Sequence, residues 1–202
     1  DSFRELKAGC FAAPCFIDLE GLYQKALSEV AAMHIGRSII LPLLAGQLEN
    51  NLVDEDLYDE AMLRLEEDEF NDPQRDAIAL GVAAEYLVCI QGPPGTGKTR
   101  VIARIAQLLT EKGERILLTS HTHMAINNAL NKIKPLVVNT VKVGSLDSCS
   151  ALNSDIERFT HGENWKNMPV NGYVIGATPF ATCTQRLEDY SFDTVIFDEA
   201  SQ

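Results

Sequence analysis

The sequence predicts an α/β protein, a parallel sheet flanked by helices and preceded by a mainly helical, acidic segment. Three observations predict it. Residues 86–112 read as an apolar run, a glycine-rich break and an amphipathic helix. Further short apolar runs follow at 115–119, 137–143, 173–178 and 194–197, separated by helical or polar stretches. The last of them ends in two adjacent carboxylates, Asp198 and Glu199.

Composition bounds the rest. A chain of 202 residues with 46% apolar content suits one domain, or one domain with an appendage. The net charge is −12, but it is unevenly spread. Residues 1–82 carry 17 acidic and 6 basic side chains, and residues 83–202 carry 12 and 11. The second part is therefore near neutral and can hold a local basic track for a polyanion. The five cysteines, Cys10, Cys15, Cys89, Cys149 and Cys183, form no CxxC pair and read as reduced, mostly buried thiols. No apolar run reaches the length of a membrane span, and the N-terminus lacks a signal-peptide pattern, so an intracellular location is expected with no membrane partner.

In chain order, Leu19, Leu22, Tyr23, Ala26, Leu27, Val30 and Met33 keep helical spacing, with Asp18 as a cap. Pro42 ends or kinks what precedes it. Residues 49–72 hold eleven acids and one base, Arg64. Leu52, Leu57, Ala61, Met62 and Leu65 make this an amphipathic helix with a solvated acidic face. Asn71 or Asp72 caps the next helix, Pro73 suits its first turn, and Gln74 sits on that turn. A primary amide there offers the donor and acceptor that an adenine edge asks for.

Leu87 to Ile90 reads as a buried strand. Gly92, Pro93, Pro94, Gly95, Thr96 and Gly97 then form a break, and Lys98 and Thr99 open a helix to about 112. Strand, glycine loop and helix are the context that makes Gly-x-x-x-x-Gly-Lys-Thr a phosphate loop. Glycines let backbone N–H groups converge on an anion, and the helix start adds a favourable dipole. Lys98 supplies a cation for phosphates and Thr99 a hydroxyl for Mg²⁺.

Residues 115–119 form a second strand, and Ser120 or Thr122 caps the helix that follows. Hydroxyls and free N–H groups there suit a nucleic-acid phosphate. His121 and His123 have the wrong spacing for two metal ligands on one helix face. Val137 to Val143 forms a third strand, residues 145–171 a polar connection, and Tyr173 to Thr178 a fourth strand leading into a helix from Pro179 to about Leu187. Thr194 to Phe197 forms a buried strand. Asp198 at its end suits Mg²⁺, and Glu199 is placed to orient or deprotonate water.

These blocks resemble the first RecA-like domain of superfamily 1 helicases, a P-loop NTPase fold, in the branch with the nonsense-mediated-decay RNA helicase and its DNA-acting relatives. Asn71 to Gln74 resembles the Q motif, and Gly92 to Thr99 motif I. Thr119 to Asn127 resembles motif Ia, although the branch commonly has Ala-Pro-Ser-Asn at 120–123. Val141 to Gly144 is similar to the Val-Arg-Val-Gly block, Gly176 to Phe180 to the Thr-containing block, and Asp198 to Gln202 to motif II. The resemblance implies ATP-driven movement on single-stranded DNA or RNA. ATP and Mg²⁺ are the implied cofactors, with Gln74, Gly92 to Thr99 and Arg100 around the nucleotide. Lys98, Asp198 and Glu199 become catalytic, Thr99 and Asp198 metal-binding, and Thr122 and Thr178 backbone contacts. It further implies a second RecA-like domain, absent from this chain, whose arginines are worth on the order of 10³–10⁵ in rate. The expected division is a helical segment at 1–69 and the nucleotide domain at 70–202. An AAA+ ATPase or a non-catalytic helicase-like scaffold would share parts of this pattern.

Overall fold

A computed structural model of the chain describes residues 20–47, 53–145, 151–187 and 190–200. The chain divides into two compact units, within residues 1–48 and within 49–202.

In the first unit, α1 (Glu20–Ala32) leads to a π-helical turn (Gly36–Ile40) and to α2 (Leu41–Leu44). Pro42 lies in the first turn of α2, directly after the π-helical turn. The two helical stretches meet at a bend of 102°. Tyr23, Leu27 and Met33 are each more than half exposed, so their helical spacing marks a face that stays open. Asp18, Leu19 and the side chain of Leu22 lie outside the described residues. No single described helix is long and apolar enough to cross a membrane.

The second unit begins with α3 (Glu55–Arg64). Asp54 caps it, accepting from the Leu57 N–H at 3.0 Å. Glu55, Asp56, Asp59 and Glu60 are exposed, while Ala61 and Leu65 are buried. Leu52 lies outside the described residues. α3 packs on α4 (Asp72–Ala83), which packs on α5 (Lys98–Glu111). The acidic helix thus shares the core of the second compact unit, which runs over residues 49–202. Its apolar stripe needs α4 to cover it, a contact that charge counting does not register.

Five parallel strands follow: β1 (Arg115–Thr119), β2 (Thr140–Val143), β3 (Glu157–Phe159), β4 (Tyr173–Gly176) and β5 (Thr194–Phe197). Their order is β3-β2-β4-β1-β5. Ile116 lies opposite Val174 on one side and Thr194 on the other, so β1 is an interior strand, with β4 at the centre of the sheet. Alternation sends Ile116, Leu118 and Val174 to a core with Val101, Ile105 and Leu108 of α5 and with Ile126, Leu130 and Ile133 of α6 (His123–Ile133). Leu117, Val141, Val143, Tyr173 and Ile175 face the other way, under Trp165, Ala181 and Leu187.

Four elements differ from expectation. Leu87 to Ile90 is not a strand: it joins no ladder, and Cys89 and Ile90 are exposed. A strand exists only by pairing, which apolar composition alone does not supply. β5 is an edge strand rather than a buried one, with Val195 58% and Phe197 40% exposed. The connection 145–171 contributes β3, paired to β2 from Val141 to Val143. The helix after β4 is short, α7 (Pro179–Thr182). Cys89 and Cys183 are free and exposed rather than buried, and Cys10, Cys15 and Cys149 lie outside the described residues.

Candidate functional site

The phosphate loop has no regular structure between Leu87 and Gly97. Gly95 and Gly97 have φ of +83° and +84°, a region in which a side chain is strained. The loop closes on itself. Thr96 Oγ1 donates to the Pro93 carbonyl at 2.8 Å. Lys98 Nζ donates to the carbonyls of Gly92 at 2.7 Å and Pro93 at 3.3 Å. Pro93, Pro94 and Gly95 are exposed at its crest.

α4 supports the loop from one side. Asn71 and Gln74 form a reciprocal capping box: Asn71 Oδ1 accepts from the Gln74 N–H at 3.0 Å, and Gln74 Oε1 accepts from the Asn71 N–H at 3.1 Å. Gln74 Nε2 also donates to the Thr96 carbonyl at 2.9 Å. The adenine-reading amide expected from sequence is therefore tied to its own helix and to the loop. Arg100 lies exposed on the first turn of α5, its guanidinium 5.0 Å from the Phe70 ring centroid.

The opposite wall is the end of β5. The Asp198 N–H donates to the Thr119 carbonyl at 2.9 Å, and the Glu199 N–H donates to Asp198 Oδ1 at 3.0 Å. Glu199 has φ +57°, so the chain turns sharply between the two carboxylates. Burial pushes the Asp198 pKa above the usual carboxylate value, and the Glu199 charge adds to this. The Glu199 N–H and the Lys98 ammonium pull it back. Lys98 and Asp198, one hundred residues apart in sequence, are thus within electrostatic reach of each other. Ser201 and Gln202 lie outside the described residues.

A second polar corner lies where β1 meets α6. Thr122 caps α6, its Oγ1 accepting from the Ala125 N–H at 3.2 Å. Thr119 and Ser120 are buried, and neither hydroxyl has a hydrogen-bond partner among the described residues. The Nδ1 of His123 is likewise buried without one. Burial lowers the His123 pKa, and the charges of Lys142 and Arg186 lower it further. Lys142, itself buried on β2, donates to Asn127 Oδ1. His121 packs its ring against Phe197 at 5.2 Å. The Ala177 N–H donates to the Leu118 carbonyl at 3.0 Å, which sets the end of β4 beside this corner. Thr178 follows there, half-buried at the start of α7 with no side-chain capping bond. Sequence reasoning did not single out Arg186 or the Lys142–Asn127 pair, because nothing local distinguishes them from solvated polar residues.

The donor set around the loop fits a triphosphate with Mg²⁺. α5 opens with N–H groups that lack intrahelical acceptors, the half-buried Thr99 brings a hydroxyl to that turn, and Lys98 lies near the strand-end carboxylate. Among the described residues no three His, Cys, Asp or Glu side chains group as a separate metal site.

A family model described as an AAA domain matches residues 69–172. The chain is similar to the DNA replication ATP-dependent helicase/nuclease DNA2 of Saccharomyces cerevisiae, with 34% identity over 140 residues, 64% of this chain and 9% of that protein. Against the Homo sapiens protein of the same name the identity is 30% over 143 residues, 65% of this chain and 13% of that one. Against the DNA replication ATP-dependent helicase/nuclease JHS1 of Arabidopsis thaliana it is 31% over 145 residues, 67% and 10%. The chain spans about a tenth of the length of these relatives.

Proposed function

The chain belongs to the superfamily 1 helicases, in the family described as an AAA domain, and from that membership we propose that it is the ATP-binding half of a helicase or translocase acting on single-stranded DNA or RNA. One observation carries the reading. The loop turns through positive φ at Gly95 and Gly97 directly into α5, and the Lys98 ammonium at that helix start lies over the loop on the Gly92 and Pro93 carbonyls.

In this reading Lys98 gives up the Gly92 and Pro93 carbonyls for β- and γ-phosphate oxygens. The N–H groups at the start of α5 bind the same oxygens. Thr99 and Asp198 hold Mg²⁺, which supplies charge neutralisation when bound. Glu199 accepts the proton of the attacking water. Thr122, exposed at the cap of α6, and Thr178, half-buried beside it after β4, are the hydroxyls that suit a nucleic-acid backbone contact. The names of the relatives favour DNA over RNA.

The test is calorimetric titration of the chain with Mg·ATP, with Lys98→Ala alongside, and turnover assayed with and without a single-stranded oligonucleotide. We expect binding that Lys98→Ala reduces by at least about a hundredfold, with slow turnover in both conditions. Slow turnover is expected because no residue assigned to the site here supplies the arginine that stabilises the transition state in the family. Fast turnover by this chain alone, or binding indifferent to Lys98, would sink the reading.

A further inference from the structure

A helix that carries binding groups on its first turn must be held lengthwise as well as against its core. The apolar face of α5 packs Val101, Ile105 and Leu108 into the core, and such packing has no preferred direction. Gly97, which precedes the helix, gives it no side-chain cap. The directional contacts lie on another face. Arg100, Arg104, Gln107 and Glu111 follow at helical spacing and form one polar stripe along α5.

That stripe is laced to the end of α3 and to the α3–α4 connection, residues 65–70. Arg104 is its anchor. Its Nε lies 2.9 Å from Asp68 Oδ2, a buried ion pair rather than an aligned hydrogen bond. Its Nη1 donates to Gln107 Oε1 at 2.7 Å, and its Nη2 donates to the Arg64 carbonyl at 3.4 Å. Gln107 Nε2 donates to Glu111 Oε1 at 3.0 Å, and Glu111 accepts from the Arg64 guanidinium, which closes a ring of polar contacts between the two helices. One turn nearer the loop, Arg100 Nη2 donates to the Glu69 carbonyl at 3.3 Å. The connection is in turn held from α4, where Arg75 Nη2 donates to the carbonyls of Glu66 at 3.4 Å and Asp68 at 3.3 Å. A guanidinium suits this work because its planar fork can serve several acceptors at once.

We propose that Arg104 is a positioning residue for the triphosphate seat. Paired with Asp68, it pins α5 lengthwise to the acidic α3–α4 connection and so sets where Lys98, Thr99 and the N–H groups of the helix start stand. It lies six residues after Lys98, about 9 Å along the helix axis, and acts through the backbone of α5. The proposal rests on the reading of that helix start as a nucleotide site. It also gives Asp68, in a run of acids, a task other than solvation.

Two variants separate pinning from simple charge. Arg104→Lys keeps the charge but cannot hold Asp68, Gln107 and the Arg64 carbonyl together. Asp68→Asn removes a negative charge, which by electrostatics alone would strengthen the binding of a polyanion. Loss of the pin weakens that binding instead, so the sign of the effect is diagnostic. The 202-residue chain and both variants would be titrated with Mg·ATP well below their melting temperatures, where each is folded. Amide hydrogen exchange at Arg100, Val101, Leu108 and Leu109 would be followed without ligand. We expect each variant to bind Mg·ATP about fivefold more weakly, on the scale of one lost hydrogen bond. Exchange should quicken at Arg100 and Val101 more than at Leu108 and Leu109.

Lower melting temperatures with wild-type Mg·ATP affinity in both variants would overturn the proposal and make the pair a stabilising contact only. Tighter binding by Asp68→Asn would overturn it as well. A wild-type chain that binds no Mg·ATP would instead remove the nucleotide reading. Exchange at the start of α5 would then still decide whether Arg104 and Asp68 pin the helix, and a wild-type rate there in both variants would show that they do not.

Discussion

The phosphate loop and the corner at β1 and α6 are built in opposite ways. The loop is exposed at its crest, and its carbonyls are already bonded: Gly92 and Pro93 to Lys98, Pro93 also to Thr96, and Thr96 to Gln74. At the corner the hydroxyls of Thr119 and Ser120 and the Nδ1 of His123 are buried and have no partner among the described residues. A ligand at the loop must exchange bonds that exist, so its net gain there depends on loop geometry. The groups at the corner have already lost their water, each costing about 1–3 kcal/mol while unpaired, and a ligand can bond them only where the corner opens. One region is a shaped seat, the other a set of waiting contacts.

The sharpest way to break the loop side is Gly97→Ala. The methyl group meets both the left-handed backbone and the Gln74 amide. Left-handed geometry alone costs roughly 1–2 kcal/mol, so Mg·ATP affinity should fall by about tenfold or more, read by calorimetry. Wild-type affinity in this variant would mean that the loop is not held in the described shape.

The corner is probed through pH. The His123 pKa is held below the ordinary value of 6.5 by burial and by Lys142 on β2 and Arg186 beyond α7. The unfolded chain therefore takes up this proton first as pH falls. The stability contributed by neutral His123 is full above about pH 6.5 and is lost progressively as the pH drops below it. Melting temperatures of wild type and His123→Asn, measured from pH 8 to 5, should diverge above pH 6.5 and converge below. Parallel curves would show that the imidazole is as free to ionise folded as unfolded.

The smallest effect is expected away from both regions, where Arg115 and Asp193 pair at 2.7 Å between the starts of β1 and β5. The Arg115 side chain and N–H hold the Asp193 carboxyl down to about 2, from an ordinary 3.8. Its stabilisation is present above pH 3.8 and lost as the pH falls toward 2. The pair is partly exposed, so Asp193→Asn should move the melting temperature little at pH 7 and not at all at pH 2. A large loss at pH 7 would mean that β5 depends on this tie, and that the strand end bearing Asp198 is less firmly fixed than the loop facing it.

Much of this was legible in the sequence, for identifiable reasons. α5 and α6 carry apolar stripes that face one core, and their starts are marked by Gly97 and Thr122. Asn71 or Asp72 as cap, with Pro73 in the first turn, announces the start of α4 to within a residue, and Asn71 is the cap. Asp198 stood out in sequence because the carboxylate pair follows an apolar strand, and the structure sets it at the end of β5, bonded through its N–H to the Thr119 carbonyl. What escaped depends on partners distant in sequence. Leu87 to Ile90 has strand composition but no ladder, and β3 has little apolar character but pairs with β2. The Gln74 amide was legible as a donor and acceptor, not as one already bonded to Thr96. Arg186 matters because of how the chain beyond α7 returns toward His123, which no local pattern encodes.

Glu199 carries a final consequence. Its backbone lies where glycine is at ease and a branched or long residue is not, so the fold by itself would be better served by a glycine at this position than by the glutamate present. If Glu199 is the base proposed above, robustness and turnover pull this position in opposite directions. Random mutagenesis screened only for soluble, heat-resistant protein would then be drawn toward Glu199→Gly and would lose the proposed base.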